Sequence, residues 1–72
     1  MNAELIGRYL TASGKVGIAI KALHFGDHTV YSYNGAWGAG STTRKDEVEL
    51  AVNGMLRRHP RHSVDLNLWS TP

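Results

Sequence analysis

The segment YSYNGAWGAGSTTRKDE, residues 31–47, contains residue types that hold nucleotide phosphates in other proteins. Gly35, Gly40, Ser41 and Thr42 follow the spacing G-x-x-x-x-G-[ST]-T, whereas a phosphate loop has a lysine after its last glycine. Ser41 occupies that lysine position. A phosphate loop also belongs to a parallel sheet with a crossover helix, for which a chain of 72 residues leaves little room. We therefore expect no nucleotide here and interpret the glycines as a pliable turn between a strand and a helix.

Four histidines form two pairs, His24-x3-His28 and His59-x2-His62. Zinc accepts imidazole nitrogens, but its sites usually add cysteine or carboxylate ligands at closer spacing. The chain has no cysteine. We expect neither a metal nor another cofactor, and we interpret the histidines as surface residues near turns whose charge changes between pH 5 and 8.

Catalytic chemistry has little support in the sequence. Ser32, Ser41 and Ser63 are potential nucleophiles, but none lies in a nucleophile-elbow motif. A domain of this size also offers little concave volume for a substrate. We expect a protein that is not an enzyme.

The strongest candidates for contact with a partner are Trp37, Leu50, Arg57, Arg58 and Arg61. Two interpretations of Trp37 stay open: it folds back over a small core, or it is an exposed aromatic anchor. The arginines lie at the end of a predicted helix, where they complement the helix dipole, but three are more than the dipole requires. Leu50 falls on the polar face of the same helix. We predict a contact surface along this outer face, with the arginines meeting an acidic patch.

Nucleic acid is the alternative partner. Lys15 and Lys21 add to the basic residues that could follow a phosphate backbone, and Tyr31, Tyr33 and Trp37 could stack on bases. The common RNA-binding signatures, the aromatic RNP1 motif and the GxxG clamp, are absent.

The length predicts one domain, residues 1–72, and the net charge of +2 is too small to name a partner. No apolar run approaches the ~20 residues of a membrane span. The opening MNAELIGRYL lacks the layout of a signal peptide. We expect a soluble monomer of the cytoplasm that does not contact membranes.

The candidate residues must be positioned by a few short elements. Apolar spacing predicts a helix over residues 3–13 that ends at Gly14. Alternation predicts a strand over residues 15–23, a turn at Gly26-Asp27 and a second strand over residues 29–33.

The clearest helix is predicted to start at Thr43, with Asp46 in a capping-box-like position, and to end at Arg58 or His59 before Pro60. Its apolar stripe comprises Val48, Ala51, Val52, Met55 and Leu56. A last strand follows, in which Val64, Leu66 and Leu68 alternate with Asp65, Asn67 and Trp69. The predicted core comprises Val16, Ile18, Ile20, Val48, Val52, Met55, Leu66 and Leu68. The expected fold is α+β, a three-stranded sheet with a helix on one face.

Taken whole, the chain resembles the small transcription regulators of lytic Xanthomonas phages that bind the RNA polymerase of the host. The opening MNAELIGRYL, the length, the α-β-β-α-β order and the basic element RRHPRH, residues 57–62, carry this resemblance. It implies binding to the β′ and β subunits in the host bacterial cytoplasm, displacement of the σ factor and suppression of termination. Contact with nascent RNA or DNA is an additional expectation.

Overall fold

The part of the chain that the structure describes, residues 2–68, forms a five-stranded antiparallel sheet and one helix. The structure is a computed structural model. The elements in chain order are β1 (Asn2–Leu10), β2 (Val16–Phe25), β3 (His28–Gly35), β4 (Gly38–Thr42), α1 (Lys45–Arg58) and β5 (Ser63–Asn67). The strand order is β4-β3-β2-β1-β5. The predicted α+β class is confirmed. The predicted three-stranded sheet is wrong, because two further segments of the chain are strands.

The first of these segments is β1, where the sequence predicts a helix over residues 3–13. In the pairing of β1 with β2, Ile6 is an extra residue between Leu5 and Gly7. This bulge interrupts the alternation of the strand, and both Ile6 and Tyr9 are buried. Ile6 and Tyr9 are three residues apart, which is also the spacing of residues on one face of a helix, so the same apolar pattern fits a helix. Gly7 weakens a helix by about 1 kcal/mol but suits a bulge.

The second segment is β4, which forms a hairpin with β3 where the sequence predicts a turn leading directly into a helix. Gly35 pairs with Gly38 across a turn of Ala36 and Trp37. A side chain at Gly40 would collide with the ring of Tyr33, and one at Gly35 would collide with the backbone of Gly17. Most of these glycines therefore permit close contact between strands. A phosphate loop needs its glycines between a strand and a helix N-terminus, whereas Gly35 and Gly40 lie inside paired strands.

The central hairpin agrees with its prediction. Strands β2 and β3 overlap the predicted ranges, and the turn at Gly26 and Asp27 is confirmed, closed by the pair Phe25–His28. Gly14 has the positive φ that was expected of it, +88°. It lies in the turn between β1 and β2, however, and not at the end of a helix.

Helix α1 confirms the predicted amphipathic helix and differs from it at the first turn. The side chain of Thr43 makes no capping hydrogen bond, and the N-cap residue is Arg44. The hydroxyl of Thr42 performs a related role, because it accepts a hydrogen bond from the Arg44 N–H at 3.1 Å and donates one to the Glu47 carboxylate at 2.6 Å. Val48, Val52 and Met55 are buried. Asp46 and Glu47 lie in the first turn of the helix and Arg57 and Arg58 in the last, as the dipole favours.

The core joins α1 to β1 and β2, and its buried residues are Ile6, Tyr9, Ile18, Ile20, Ala22, Val48, Val52 and Met55. The core prediction is thus confirmed for Ile18, Ile20, Val48, Val52 and Met55. It is wrong for Val16, which is 39% exposed, and for Leu68, which is 60% exposed. Leu66 is half-buried. Tyr31, Tyr33, Trp37 and Leu56 pack around this core.

Strand β5 confirms the predicted last strand and pairs with β1 at one edge of the sheet. Arg8 of β1 forms an ion pair with Asp65 of β5. The backbone of α1 approaches β3 and β4 most closely, at the other end of the strand order from β5, and Val64 of β5 is exposed. Trp69 lies outside the described residues. The structure describes no helix that is long and apolar enough to cross a membrane.

Candidate binding site at the C-terminal end of helix α1

A cavity of about 270 Å³ lies where α1 ends. Its walls come from the turn between β1 and β2, the turn between β3 and β4, and the segment that joins α1 to β5. The lining residues are Ala12, Trp37, Arg58, His59, Pro60, Arg61 and His62. Three of the five predicted contact residues, Trp37, Arg58 and Arg61, therefore come together around one cavity. Leu50 and Arg57 are not part of its lining.

Trp37 is held in place by contacts with β2 and with the segment after α1. Its backbone N–H donates a hydrogen bond to the carbonyl of Gly17 at 3.0 Å. Its indole lies so close to Gly17 that a Cβ there would be 2.5 Å from the ring. The His59 imidazole stacks on the indole, with 4.7 Å between centroids and an interplanar angle of 6°. Of the two open interpretations, this placement matches a side chain folded back over the core. The role of Trp37 in binding a partner stays a prediction.

His62 lines the cavity, and a backbone carbonyl fixes the orientation of its ring. Its Nδ1 is 2.9 Å from the carbonyl oxygen of His59, so Nδ1 must carry the proton and donate it, since a carbonyl only accepts. In the neutral ring Nε2 is then the acceptor. The ring meets Trp37 edge-on at 6.2 Å and Tyr9 at the same centroid distance. Sequence reasoning assigned His59 and His62 to the surface, whereas both are half-buried.

The other two histidines lie at the opposite end of the sheet, beside the turn between β2 and β3. The ring of His24 lies between Glu4 and Thr29, with a nitrogen 3.2 Å from an oxygen of each. His28 is 2.8 Å from the Asp27 carboxylate and stacks on Phe25. The two histidine pairs are therefore separate. Within residues 2–68 the structure brings together no group of three or more histidine, aspartate or glutamate side chains that could hold a metal ion.

The arginine cluster, defined as Arg57, Arg58 and Arg61, is exposed and has no counter-ion in the described part of the chain. Within residues 2–68 none of the three forms an ion pair, in contrast to Arg8 with Asp65 and Arg44 with Asp46. The Arg58 side chain lies back along the helix, and its Nη1 would be 3.6 Å from a Cβ at Gly54. The cluster therefore offers guanidinium groups to a ligand or a partner.

The outer face of α1, defined as Leu50, Asn53 and Arg57, is exposed along its length. Leu50 is 70% exposed, as predicted from its position opposite the apolar stripe. At the start of the helix the electrostatics are different. A hydrogen bond from the Arg44 guanidinium, with the attraction of its charge, holds the pKa of the Asp46 carboxyl below its ordinary value of 3.8. The same pairing raises the pKa of Arg44.

The cavity contains residues that the sequence did not single out as a site. Ala12 and Pro60 are ordinary turn residues, and they belong to the cavity only because separate turns meet there. They could not be predicted without the β3–β4 hairpin, which brings Trp37 to the end of α1. No local sequence pattern indicates that these turns lie close together.

Comparisons of the chain with models of protein families, with curated proteins and with solved structures found no match. The α-β-β-α-β order that contributed to the resemblance is replaced in the structure by β-β-β-β-α-β. The opening segment, the length and the basic element remain as its basis.

Proposed function

We propose that this chain is a non-enzymatic phage regulator that binds the RNA polymerase of its bacterial host through the arginine cluster and the outer face of α1. The observation that carries the proposal is a group of three exposed arginines with no ion-pair partner in residues 2–68, on the same helix as a leucine that is 70% exposed and lies about two turns before Arg57. The polymerase, through its β′ and β subunits, is the partner that the sequence resemblance implies.

The chemistry of this surface suits an acidic partner. Exposed guanidinium groups that have no internal counter-ion gain more from an external carboxylate than groups that are already paired. Arginine is also enriched at the centre of protein interfaces. The exposed Leu50 supplies an apolar contact at the opposite end of the outer face. The positive charge of such a surface would accelerate association with an acidic partner, and burial of Leu50 against that partner would stabilise the complex.

The geometry favours this function over nucleic-acid binding. The stacking aromatics of that alternative, Tyr31, Tyr33 and Trp37, all pack against the core. Lys21 follows the buried Ile20 in a regular strand, so it lies on the face of the sheet opposite to the helix. Lys21 therefore lies apart from the arginine cluster at the end of α1.

The first test is recovery of polymerase from a bacterial lysate, with and without nuclease. We expect the β′ and β subunits to remain bound after nuclease treatment. Arg57→Glu with Arg58→Glu should abolish recovery, and added salt should weaken binding of the unaltered chain. The matched control, Lys15→Glu with Lys21→Glu, changes the net charge equally at other places and should retain binding. Loss of all partners on nuclease treatment would instead support the nucleic-acid alternative.

The second test addresses the effect on transcription. In a reaction with purified polymerase and σ factor, we expect the protein to reduce initiation even when it is added to the preformed complex of the two, because the resemblance implies displacement of bound σ factor. On a template with a terminator it should increase readthrough by an elongating polymerase. Binding without either effect on transcription would contradict the proposed regulatory role but would not contradict the proposed binding surface.

A further inference from the structure

The cavity at the end of α1 combines two residues of the arginine cluster with an aromatic and aliphatic wall that the proposed interface does not use. Its volume of about 270 Å³ is slightly below the common range of ~300–1,000 Å³ for small-molecule sites. This is room for one ring and one acidic group. Among its lining residues there is no aspartate or glutamate. The charged residues of its lining are Arg58 and Arg61. Arg58 Nη1 lies beside Gly54, but no ion pair within residues 2–68 holds it there, so this exposed side chain can turn toward the cavity.

Two opposing charges act on an anion in this cavity. The C-terminal end of a helix carries roughly half a negative elementary charge, which disfavours an anion. Arg58 and Arg61 each carry a full positive charge and form no ion pair within residues 2–68. The guanidiniums therefore outweigh the helix end. A dianion balances both arginines, whereas a carboxylate balances only one.

The remaining walls are apolar. Ala12 and Pro60 contribute aliphatic surface, and Trp37 contributes an indole that is already in contact with Gly17 and His59. A ligand ring would consequently meet the exposed edge of Trp37, in the edge-to-face arrangement that aromatic pairs favour. The cavity thus combines two cationic groups with a wall suited to one flat ring.

We propose that this cavity binds a small phosphate monoester carried on a single aromatic ring. The phosphate lies between Arg58 and Arg61, where charge-assisted hydrogen bonds to guanidinium are strong, and the ring lies against Trp37 and Pro60. This site shares Arg58 and Arg61 with the proposed polymerase interface, and it is separate from the paired glycines of β3 and β4.

The test uses the full-length chain and phenyl phosphate as the probe. The sequence has two tryptophans, so Trp69→Phe leaves Trp37 as the only one, and its fluorescence reports on the cavity. We expect a saturable change with phenyl phosphate, and at least tenfold weaker binding of both inorganic phosphate and benzoate. Equal affinity for phenyl phosphate and inorganic phosphate would show that the apolar wall is not used and would overturn the proposal, as would the absence of saturation.

Three single substitutions distinguish a specific binding site from nonspecific attraction of an anion to positive charge. Arg58→Gln and Arg61→Gln should each weaken phenyl phosphate at least tenfold. Arg57→Gln removes the same charge from the same helix end but lies outside the cavity lining, and it should change the affinity less than twofold. Equal losses in all three variants would overturn the proposal.

A second measurement does not depend on variants. In the unaltered chain, phenyl phosphate should shift the imidazole NMR signals of His59 and His62 and leave those of His24 and His28 unchanged, because the latter pair lies at the other end of the sheet. Shifts of all four signals would contradict a single site. No polymerase is present in either experiment, so their outcome is distinct from that of the interface tests.

Discussion

Trp37 connects three parts of the chain through one side chain. It lies in the turn between β3 and β4, it contacts Gly17 at the start of β2, and it stacks on His59 after the end of α1. Residues that join separate elements in this way contribute both buried apolar area and fixed geometry. The sequence left open whether Trp37 is a core residue or an interface anchor, because neither contact is local.

We expect Trp37→Ala to lower the free energy of unfolding by about 2–4 kcal/mol, since the side chain is half-buried and its loss leaves a cavity beside Gly17 and His59. Chemical denaturation followed by circular dichroism measures this change. Leu50→Ala is the control, because Leu50 is 70% exposed and its loss should alter stability by less than about 0.5 kcal/mol. A stable Trp37→Ala variant that fails to bind its partner would return Trp37 to the role of an interface anchor.

At the scale of elements, periodic apolar patterns predicted the main helix and the central strands but neither β1 nor β4. Helix α1 follows the period of 3.6 residues and β2 alternates from Ile18 to Ala22, and the predicted elements α1, β2 and β3 are confirmed. A bulge at Gly17 breaks the alternation at the start of β2, where the predicted core residue Val16 is exposed. Strand β1 contains a bulge at Ile6, which makes its apolar spacing that of a helix. Strand β4 has the sequence GAGST, whose glycines carry no alternation to detect. The sequence singled out Trp37, Arg58 and Arg61 separately but did not predict that they line one cavity. Their proximity depends on the β3–β4 hairpin, which contains Trp37 in its turn and was not predicted.

Gly54 weakens α1 without making room for a close contact. A Cβ at this position would meet only Arg58 Nη1, at the ordinary distance of 3.6 Å. We therefore expect Gly54→Ala to raise the free energy of unfolding by about 0.5–1 kcal/mol, as helix propensity dictates. Gly17→Ala is the contrasting variant, because its Cβ would collide with the Trp37 ring, and it should be destabilising. A destabilised Gly54→Ala variant would show that Arg58 needs the space.

The Arg44–Asp46 pair at the start of α1 predicts a small dependence of stability on pH. The pKa of the Asp46 carboxyl is lowered in the folded state, so its contribution is present above the ordinary value of 3.8 and is lost as the pH falls through the lower folded value. The stability difference between the unaltered chain and Asp46→Asn should thus be constant from pH 5 to 8 and shrink below about pH 4.

Carboxyl NMR titration checks the cause of this shift. In Arg44→Gln the pKa of Asp46 should move upward toward 3.8, because the hydrogen bond from the guanidinium is its largest source. An unchanged Asp46 titration in that variant would assign the shift to the helix N-terminus alone.

At the scale of the whole molecule, β1 lies inside the sheet because β5 covers its outer edge. Four backbone pairs and the Arg8–Asp65 ion pair join the two strands. Without β5 the backbone N–H and C=O groups of β1 would be unpaired, and such an edge readily pairs with another chain. The integrity of this edge therefore depends on the last described strand.

A chain that ends at His62 lacks β5 and should have a lower unfolding midpoint and associate with itself at micromolar concentrations. Sedimentation velocity measures the association. A chain that ends at Leu68 retains β5 and serves as the control. A monomeric truncated chain with an unaltered midpoint would show that β5 is dispensable for the sheet.

The position of β5 also implies an order of folding events. Strands β1 to β4 pair as sequential hairpins, whereas the Arg8–Asp65 contact joins residues 57 apart. Closing a loop of that length costs about 2 kcal/mol more entropy than closing one of roughly five residues. Hairpins form in microseconds, so the four-stranded meander should assemble first and β5 should dock in the last and slowest step. The refolding rate of this protein would then be set by the return of its far end to β1.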